Sequence, residues 1–486
     1  MLRLTWVQPE DLLGHELRQA TQDGREPSAI ASRWKAAGGR QAPETAGASP
    51  CRVSRGLRSL AVDLLDELAD LPSPLADREP TDLDRIKSLC PDWPSEAGGR
   101  GRAHPDAHAT DHVSAQPSTH PDTHVTARPT APTRARLEAA WLGRAVGCLL
   151  GKPVEKLPLA AIRQLAESAG NWPLTRYFTA RGVPAALLMA HPWNRRSAAT
   201  SLAENIDGMP EDDDLNYPLL NLLLLRRHGK TFTTSDVAAL WLDELPAGRT
   251  FTAERVAYRN LLTGLEPPHT ARHHNPFREW IGALIRADVH GWTNPGDPAA
   301  AAEQAHRDAT LTHTANGVYA PMFIAATIAR AATGTTDIHT ALRTGLTVVP
   351  PASRLARAVH HALELAGGQQ DFDIVVDALH AAHAHTHWVH AVPNTALIAA
   401  ALTHADGDFT GSICRAVSGG WDTDSNGATA GSVAALLAGT PCALPDRWTA
   451  PLKNRLSTTI GDFNGIGFDT LAQLTRTLTR PEAPRP

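Results

Sequence analysis

Helical periodicity runs from about residue 133 to the C-terminus and restricts the possible folds more than any other feature. Apolar residues recur at the spacing of one helix face, alanine is abundant, and no run of alternating β-branched residues predicts a strand. Loops rich in glycine, proline and aspartate separate the periodic segments. The sequence therefore predicts an all-α domain over residues 133–480, built as a compact multi-helix bundle. The periodic segments are 134–150, 219–227, 299–310, 319–332, 341–346, 355–365, 395–401 and 427–438.

Two further segments precede this domain. Helical periodicity recurs near residues 10–17 and 60–68, so residues 1–92 are predicted to form a small helical region. Residues 93–132 consist mostly of glycine, proline, histidine, aspartate, threonine and serine, with almost no large apolar side chain. Such a segment buries too little apolar surface to offset the entropy of ordering it, so we interpret it as a low-complexity linker.

Charge and cysteine content exclude several classes of protein. The net charge of −5 gives no basic surface for nucleic acid, and the longest strongly apolar run, 219–225, is too short to span a bilayer. The five cysteines are scattered and form no CxxC pair, which favours a reducing cytoplasm over a secreted disulfide framework. The first ten residues soon include acids and contain no apolar core, so we expect no signal peptide.

Four consecutive carboxylates, Glu211, Asp212, Asp213 and Asp214, stand shortly before the apolar run 219–225. Acids in a first helical turn gain about 0.3–1 kcal/mol each from the helix N-terminus, which accounts for one or two of them. Adjacent carboxylates also repel, at about 1 kcal/mol per close pair in water and more where water is excluded. Because a bound cation would relieve this repulsion, the run is consistent with either an acidic helix start or a cation site.

A second acidic motif places Asp422 and Asp424 two residues apart, with Ser425 adjacent and a glycine pair before them. A turn of this kind can direct two carboxylates and a hydroxyl at one point. Hard oxygen ligands select Mg²⁺, Mn²⁺ or Ca²⁺ over zinc. The motif is not an EF-hand, because no glutamate closes a twelve-residue loop. It therefore predicts a hard-cation site.

Glycines at a spacing of four form a stripe on two of the predicted helices. Gly143, Gly147 and Gly151 share one helix face, and Gly427 and Gly431 repeat the spacing after the second acidic motif. Glycine costs about 1 kcal/mol per interior helical position, so such a stripe indicates close backbone approach. We expect this packing to bring the ends of the two helices together.

These motifs, in this order, resemble the ADP-ribosylglycohydrolase family, which includes enzymes that release ADP-ribose from arginine, serine or dinitrogenase reductase. The resemblance covers roughly residues 135–440. It implies an all-α ADP-ribosylglycohydrolase-like bundle with two Mg²⁺ ions at its centre, or Mn²⁺ in their place. The segments that carry it are the pattern G-x-x-x-G-x-x-x-G-x-P-x-E ending at Glu155, and residues 205–217, 294–298, 313–319, 392–394 and 419–426.

The resemblance assigns metal ligands to both acidic motifs. In the best-known branch the first motif is Thr-Asp-Asp, so Glu211 puts a carboxylate where that branch has a hydroxyl. The implied ligands are Asp212, Asp213, Asp422, Asp424, Ser425 and, with that substitution, Glu211.

Cleavage of a ribosyl C1 bond develops oxocarbenium character, which nearby carboxylates stabilise. We hypothesise that Asp213 or Asp424 orients or deprotonates the attacking water; the sequence leaves this choice open. Glu155 matches a family glutamate near the distal ribose of the substrate, and we expect it to assist the leaving group.

Substrate contacts are predicted at a further set of residues. Helix capping or core packing explains His313, Asn316 and Tyr319 equally well. The histidines between 380 and 390 have irregular spacing and lack an accompanying cysteine or acid, which disfavours zinc. The predicted substrate contacts are His313, Asn316, Tyr319, His390 and Gly420.

Three functions are compatible with these residues. The favoured one is a hydrolase that acts on an ADP-ribosylated protein or a small ADP-ribose conjugate, without a nucleic-acid or membrane partner. The second is an N-ribosidase that acts on a nucleoside-like metabolite at the same centre. The third is a non-catalytic, crystallin-like member of the family. Retention of both acidic motifs favours the enzymes over the structural protein.

Overall fold

The computed structural model describes residues 4–42, 47–49, 52–94 and 131–479 of the 486-residue chain. Over these ranges the protein forms 22 α-helices, short 3-10 turns and no strand, which confirms the all-α prediction. Most of the predicted linker, residues 95–130, lies outside the described residues. The helices are α1 (Pro9–Gln22), α2 (Ser28–Ala36), α3 (Arg55–Ala69), α4 (Leu83–Leu89), α5 (Arg134–Gly151), α6 (Leu159–Ser168), α7 (Ala185–Ala190), α8 (Ala198–Ser201), α9 (Asp213–His228), α10 (Thr234–Glu244), α11 (Thr252–Leu262), α12 (Asp288–Thr293), α13 (Pro298–Ala309), α14 (Asn316–Ala331), α15 (Ile338–Leu346), α16 (Arg354–Gly368), α17 (Phe372–Ala382), α18 (Ala391–His404), α19 (Phe409–Ser418), α20 (Thr423–Ala438), α21 (Asp446–Thr449) and α22 (Phe468–Thr477).

Each of the eight periodic segments lies within or largely within a helix. The largest difference in a helix start concerns α9, which begins at Asp213 rather than near residue 219. The side chain of Asp212 accepts a hydrogen bond from the backbone N–H of Asp214 at 2.9 Å and so caps the helix. The acidic run is therefore the start of a helix. None of the helices in the described ranges is long and apolar enough to cross a membrane.

Helices α5 and α20 pack antiparallel at the centre of the fold through their glycine stripes. A Cβ atom on Gly143 would lie 2.2 Å from the carbonyl oxygen of Gly431, and one on Gly147 would lie 1.8 Å from that of Gly427. A Cβ on Gly151 would lie 2.2 Å from the carbonyl oxygen of Thr423. The close approach predicted from the stripe is confirmed. It sets the C-terminal end of α5 beside the N-terminal end of α20, where the second acidic motif begins.

Helices α1–α4 pack on the later helices through buried ion pairs. Arg278 bonds to Glu16 and to Asp23, each at 2.6 Å, and all three side chains are almost fully buried. Arg354 bonds to Glu79 at 2.6 Å. Because buried charges are tolerated when they are paired, these contacts fix how the N-terminal region sits on the bundle.

Candidate active site

A cavity of about 640 Å³ opens where the N-terminal ends of α9 and α20 meet the C-terminal end of α5. Residues from both acidic motifs line it, together with the glutamate that ends the glycine-rich pattern. The predicted ligands and catalytic residues in its wall are Glu155, Glu211, Asp212, Asp213, Asp422, Asp424 and Ser425.

The two acidic motifs touch one another. The hydroxyl of Ser425 donates a hydrogen bond to Oδ2 of Asp214 at 3.3 Å, although the residues are 211 positions apart. The hydroxyl of Thr423 donates to the carbonyl oxygen of Gly151 at 2.8 Å, which ties α20 to the end of α5. The helix packing thus holds both motifs at one centre.

Three carboxylates form the densest acidic group. Ligand oxygens of Glu155, Asp422 and Asp424 all lie within 4.8 Å of one another. Burial, followed by repulsion from Glu155 and Asp212, raises the pKa of Asp424 to about 7. Burial and the neighbouring Asp424 raise the pKa of Asp422 well above its usual range. Besides burial, these raised pKa values reflect repulsion among the carboxylates, which a hard divalent cation would relieve.

A buried arginine forms an ion pair with the last acid of the first acidic motif. Arg144, on α5, bonds to Asp214 Oδ1 at 3.2 Å and to Asp288 Oδ2 at 2.8 Å, and it is fully buried. Burial and the carboxylate of Asp212 nevertheless raise the pKa of Asp214 well above its usual range. Burial, with Asp212 and Asp424, does the same for the pKa of Asp213.

Lys152 is a member of the site that the sequence analysis missed. Its ammonium group makes a very short ion pair with Oδ2 of Asp212, and both side chains are 8% exposed. Burial opposes ionisation of both groups, but their mutual attraction prevails, raising the pKa of Lys152 and lowering the pKa of Asp212. One feature of the sequence indicates a buried lysine here: Lys152 stands between Gly151 and Pro153, at the end of a helix whose neighbouring positions are apolar or glycine.

The two glutamates at the rim are each held by a cation and an amide. Glu211 bonds to Arg249 at 3.0 Å and accepts from the side-chain amide of Asn216 at 2.8 Å. Glu155 bonds to Lys156 at 2.8 Å and accepts from the amide of Asn194 at 2.6 Å. The negative charge of Glu211 is thus balanced by Arg249, at the exposed side of the centre.

Aromatic and cationic side chains complete the wall of the cavity. The N-terminal region contributes Trp6, whose ring makes edge contacts with Phe277 and Trp280 at centroid distances of 5.5 and 6.3 Å. Aromatic faces suit a nucleobase, and guanidinium and ammonium groups suit phosphate oxygens. The aromatic residues of the wall are Trp6, Phe251, Trp280 and Trp388, and its cations besides Lys152 are Lys156, Arg196 and Arg249.

The predicted substrate contacts lie elsewhere, outside the wall of this cavity. The amide of Asn316 donates to Glu79 at 2.8 Å, and the hydroxyl of Tyr319 donates to the carbonyl oxygen of Pro80. Nε2 of His390 lies 3.6 Å from Glu279. Asn316 and Tyr319 thus contact the N-terminal region directly, and His390 lies beside Glu279, which itself bonds to Gln19 of that region.

The other two predicted contacts, His313 and Gly420, are also absent from the wall of the cavity. His313 is fully buried, with Nδ1 2.6 Å from the hydroxyl of Thr312. Gly420 lies in the turn before Asp422 with a φ of +78°, a conformation that favours glycine. Its position explains the turn that presents the second acidic motif.

Comparison with known protein families agrees with the all-α fold. The model of the ADP-ribosylglycohydrolase family matches residues 129–483, and the chain belongs to that family. It is therefore a hydrolase of the glycosidase class, from a metal-dependent family that acts on ADP-ribosylated substrates.

A solved structure described as an ADP-ribosylglycohydrolase-related protein complex is similar to this chain. The two are 21% identical, with a TM-score of 0.45 over 71% of this chain and 99% of that chain. A comparison with curated proteins found no match.

Proposed function

We propose that the protein is an Mg²⁺-dependent glycohydrolase that cleaves the ribosyl C1 bond of an ADP-ribosylated protein or small conjugate and releases ADP-ribose. One observation carries the proposal: Glu155, Asp422 and Asp424 place carboxylate oxygens within 4.8 Å of one another in the wall that also contains Asp212 and Asp213. Family membership indicates the class of reaction. The side chains that line the cavity support the choice of ADP-ribose as the group that is bound. The scattered cysteines favour the cytoplasm as the compartment.

The residues present fit a divalent cation at the group Glu155, Asp422 and Asp424. All three offer hard oxygen atoms, and the burial of both aspartates makes their mutual repulsion costly without a cation. When bound, such an ion supplies positive charge that holds ribose hydroxyls and polarises a water molecule. Mn²⁺ is the alternative ion for the same ligands.

The carboxylates of the chain perform the remaining chemistry. Their negative charge stabilises the oxocarbenium character that develops at C1 as the glycosidic bond breaks. Asp213 or Asp424 accepts a proton from the attacking water, and the raised pKa of Asp424 suits this exchange near neutral pH. Glu155, held by Asn194 and Lys156, assists departure of the leaving group.

The cavity favours ADP-ribose over a simple nucleoside. A nucleoside carries no phosphate, whereas the wall contains the cation Arg196 and two further cations, Lys156 and Arg249, that pair with Glu155 and Glu211 at the rim. Trp6 and Trp388 add aromatic surface for a base. An N-ribosidase would have little use for these cations, so we place it second.

The test is a product assay on arginine-, serine- and nucleotide-linked ADP-ribose, with and without Mg²⁺. We expect free ADP-ribose from at least one substrate, only with the metal present. Asp424→Asn should abolish turnover and keep the helical circular dichroism signal, whereas Asp207→Asn, at a carboxylate 63% exposed outside the cavity, should keep the rate. Release of a free base from a nucleoside would favour the N-ribosidase. Absence of any product would favour the non-catalytic alternative.

A further inference from the structure

We propose that the ammonium group of Lys152 takes the place of one of the two cations expected at the acidic centre, so that the folded protein binds a single divalent ion. The inference rests on the proposed function, because it concerns the same centre. The family resemblance implies two divalent ions, whereas here one divalent ion and the ammonium group of Lys152 would occupy the centre.

Asp212 has no carboxylate oxygen left free of a protein partner. Its Oδ2 is paired with the Lys152 ammonium, and its Oδ1 accepts the backbone N–H of Asp214 at 2.9 Å. The Lys152 ammonium also lies 3.4 Å from the carbonyl oxygen of Glu211. It therefore contacts oxygen atoms of the first acidic motif, where the second cation is expected. Both partners are buried, which strengthens the attraction between them.

Lys152 reaches this position because of where it lies in the chain. It follows Gly151, the last residue of α5, and begins the 3-10 turn Lys152–Val154. Gly151 packs against the backbone of Thr423 in the first turn of α20, and the next side chain, Lys152, reaches Asp212 at the start of α9. The packing of α5 on α20 therefore holds the ammonium between the two motifs.

The charges at the centre agree with one added divalent ion. Seven carboxylates meet there, because Arg144 pairs with Asp288 as well as with Asp214, and three cationic side chains, Arg144, Lys152 and Lys156, pair with four of them. With every carboxylate ionised the formal charge is −4, so one divalent ion would leave −2, which favours a cationic transition state. Two would cancel the negative charge and remove this stabilisation. The seven carboxylates are Glu155, Asp212, Asp213, Asp214, Asp288, Asp422 and Asp424.

The test counts Mn²⁺ ions bound to the full-length protein by equilibrium dialysis and electron paramagnetic resonance. We expect one ion per wild-type chain, with the six-line spectrum of an isolated Mn²⁺. In Lys152→Ala the count should rise to two, with the broadened spectrum of two neighbouring ions. Lys156→Ala is the matched control, because it removes an equal charge nearby from the more exposed side of Glu155, and its count should stay at one.

Several outcomes would overturn the inference. Two spin-coupled ions in the wild-type protein would show that Lys152 takes the place of neither ion. This count on the wild-type protein tests the inference even if Lys152→Ala fails to fold. No bound ion in the wild type, a count of one in a folded Lys152→Ala, or two ions in Lys156→Ala would also contradict it.

The product assay on the same samples separates the two proposals. ADP-ribose release with two ions bound keeps the proposed function and rejects the role of Lys152. One ion without release keeps the role of Lys152 and rejects the function.

Discussion

Gly147 of α5 and Gly427 of α20 lie in backbone contact, each leaving too little space for a Cβ atom on the other. A Cβ on Gly147 would lie 1.8 Å from the Gly427 carbonyl oxygen, and one on Gly427 would lie 2.3 Å from the Gly147 carbonyl oxygen. Neither obstacle is a flexible side chain, so a methyl group must separate the helices. This contact sets the distance between the two acidic motifs.

Gly147→Ala should therefore destabilise the protein and disturb the site. We expect a loss of about 1–3 kcal/mol in the free energy of unfolding, measured by urea denaturation, because of overpacking between helices. Turnover of the folded fraction should fall as well. The control is Gly367→Ala in α16, where a Cβ meets nothing within 4 Å. That variant should be as stable as the wild type or up to about 1 kcal/mol more stable. Equal stability of the two variants would contradict this account of the helix contact.

Arg144 should be essential for stability as well as for the site. Arg144→Met leaves the buried carboxylates of Asp214 and Asp288 without their partner, and we expect a loss of about 3–5 kcal/mol in the free energy of unfolding. Asp207→Asn, which disturbs an exposed ion pair with Lys453, should cost less than about 1 kcal/mol. Denaturant titrations of both variants provide the measurement. A similar loss of unfolding free energy in the two variants would show that Asp214 and Asp288 do not need Arg144 as their partner.

Trp6 should bind substrate although it lies outside the segment matched by the family model. Trp6→Ala should raise KM about tenfold, since aromatic contacts contribute about 0.5–1.5 kcal/mol beyond their buried area. We expect kcat to change little, because the ring belongs to the wall and not to the acidic group. Trp34→Ala is the control: Trp34 is buried within the N-terminal region and does not line the cavity. It should lower stability and leave KM unchanged. A KM that rises equally in both variants would indicate general loosening of the region.

Stability should fall in mild acid because of His15. Burial, followed by repulsion from His387, lowers the pKa of His15 to about 3, against an ordinary value of 6.5. Between those pH values the unfolded chain binds a proton that the folded chain excludes. The free energy of unfolding should thus decrease by up to about 1.4 kcal/mol for each pH unit below 6.5. Denaturant midpoints between pH 7 and 4 measure the decrease.

His15→Phe provides the matched variant for this pH dependence. Phenylalanine keeps the ring contact with Phe277 and Trp280 but cannot bind a proton. The decrease with falling pH should be shallower than in the wild type. Parallel curves for the two proteins would exclude His15 as the titrating group.

The sequence predicts the helices and much of the acidic centre because both depend on local patterns. Periodicity defines α5 and α20, and the spacing of Gly143, Gly147 and Gly151 predicts which helix faces meet. Clustered acids such as Asp422 and Asp424 indicate a candidate cation site through the repulsion that they create. These signals need no knowledge of distant contacts.

Features that depend on long-range packing could not be predicted in this way. The interpretation of Asn316 and Tyr319 as substrate contacts is one example, because their side chains bond to Glu79 and to the carbonyl oxygen of Pro80. Their roles depend on where the N-terminal region packs, which no local pattern specifies. Lys152 is a second example, because a lysine at a helix end usually extends into solvent, and only the arrangement of α5, α9 and α20 brings its ammonium group to Asp212.

Helices α9 and α20 both start at the acidic centre, with Asp213 and Asp424 in their first turns. The aligned peptide dipoles of a helix give its first turn a partial positive charge of about half a unit. The backbone at these two helix starts therefore provides a fixed partial positive charge that stabilises the carboxylates of the centre whether or not a ligand is bound. Substitutions that shorten the first turn of either helix would remove part of this positive charge, so the same acidic side chains would repel one another more strongly and attract a cation more strongly.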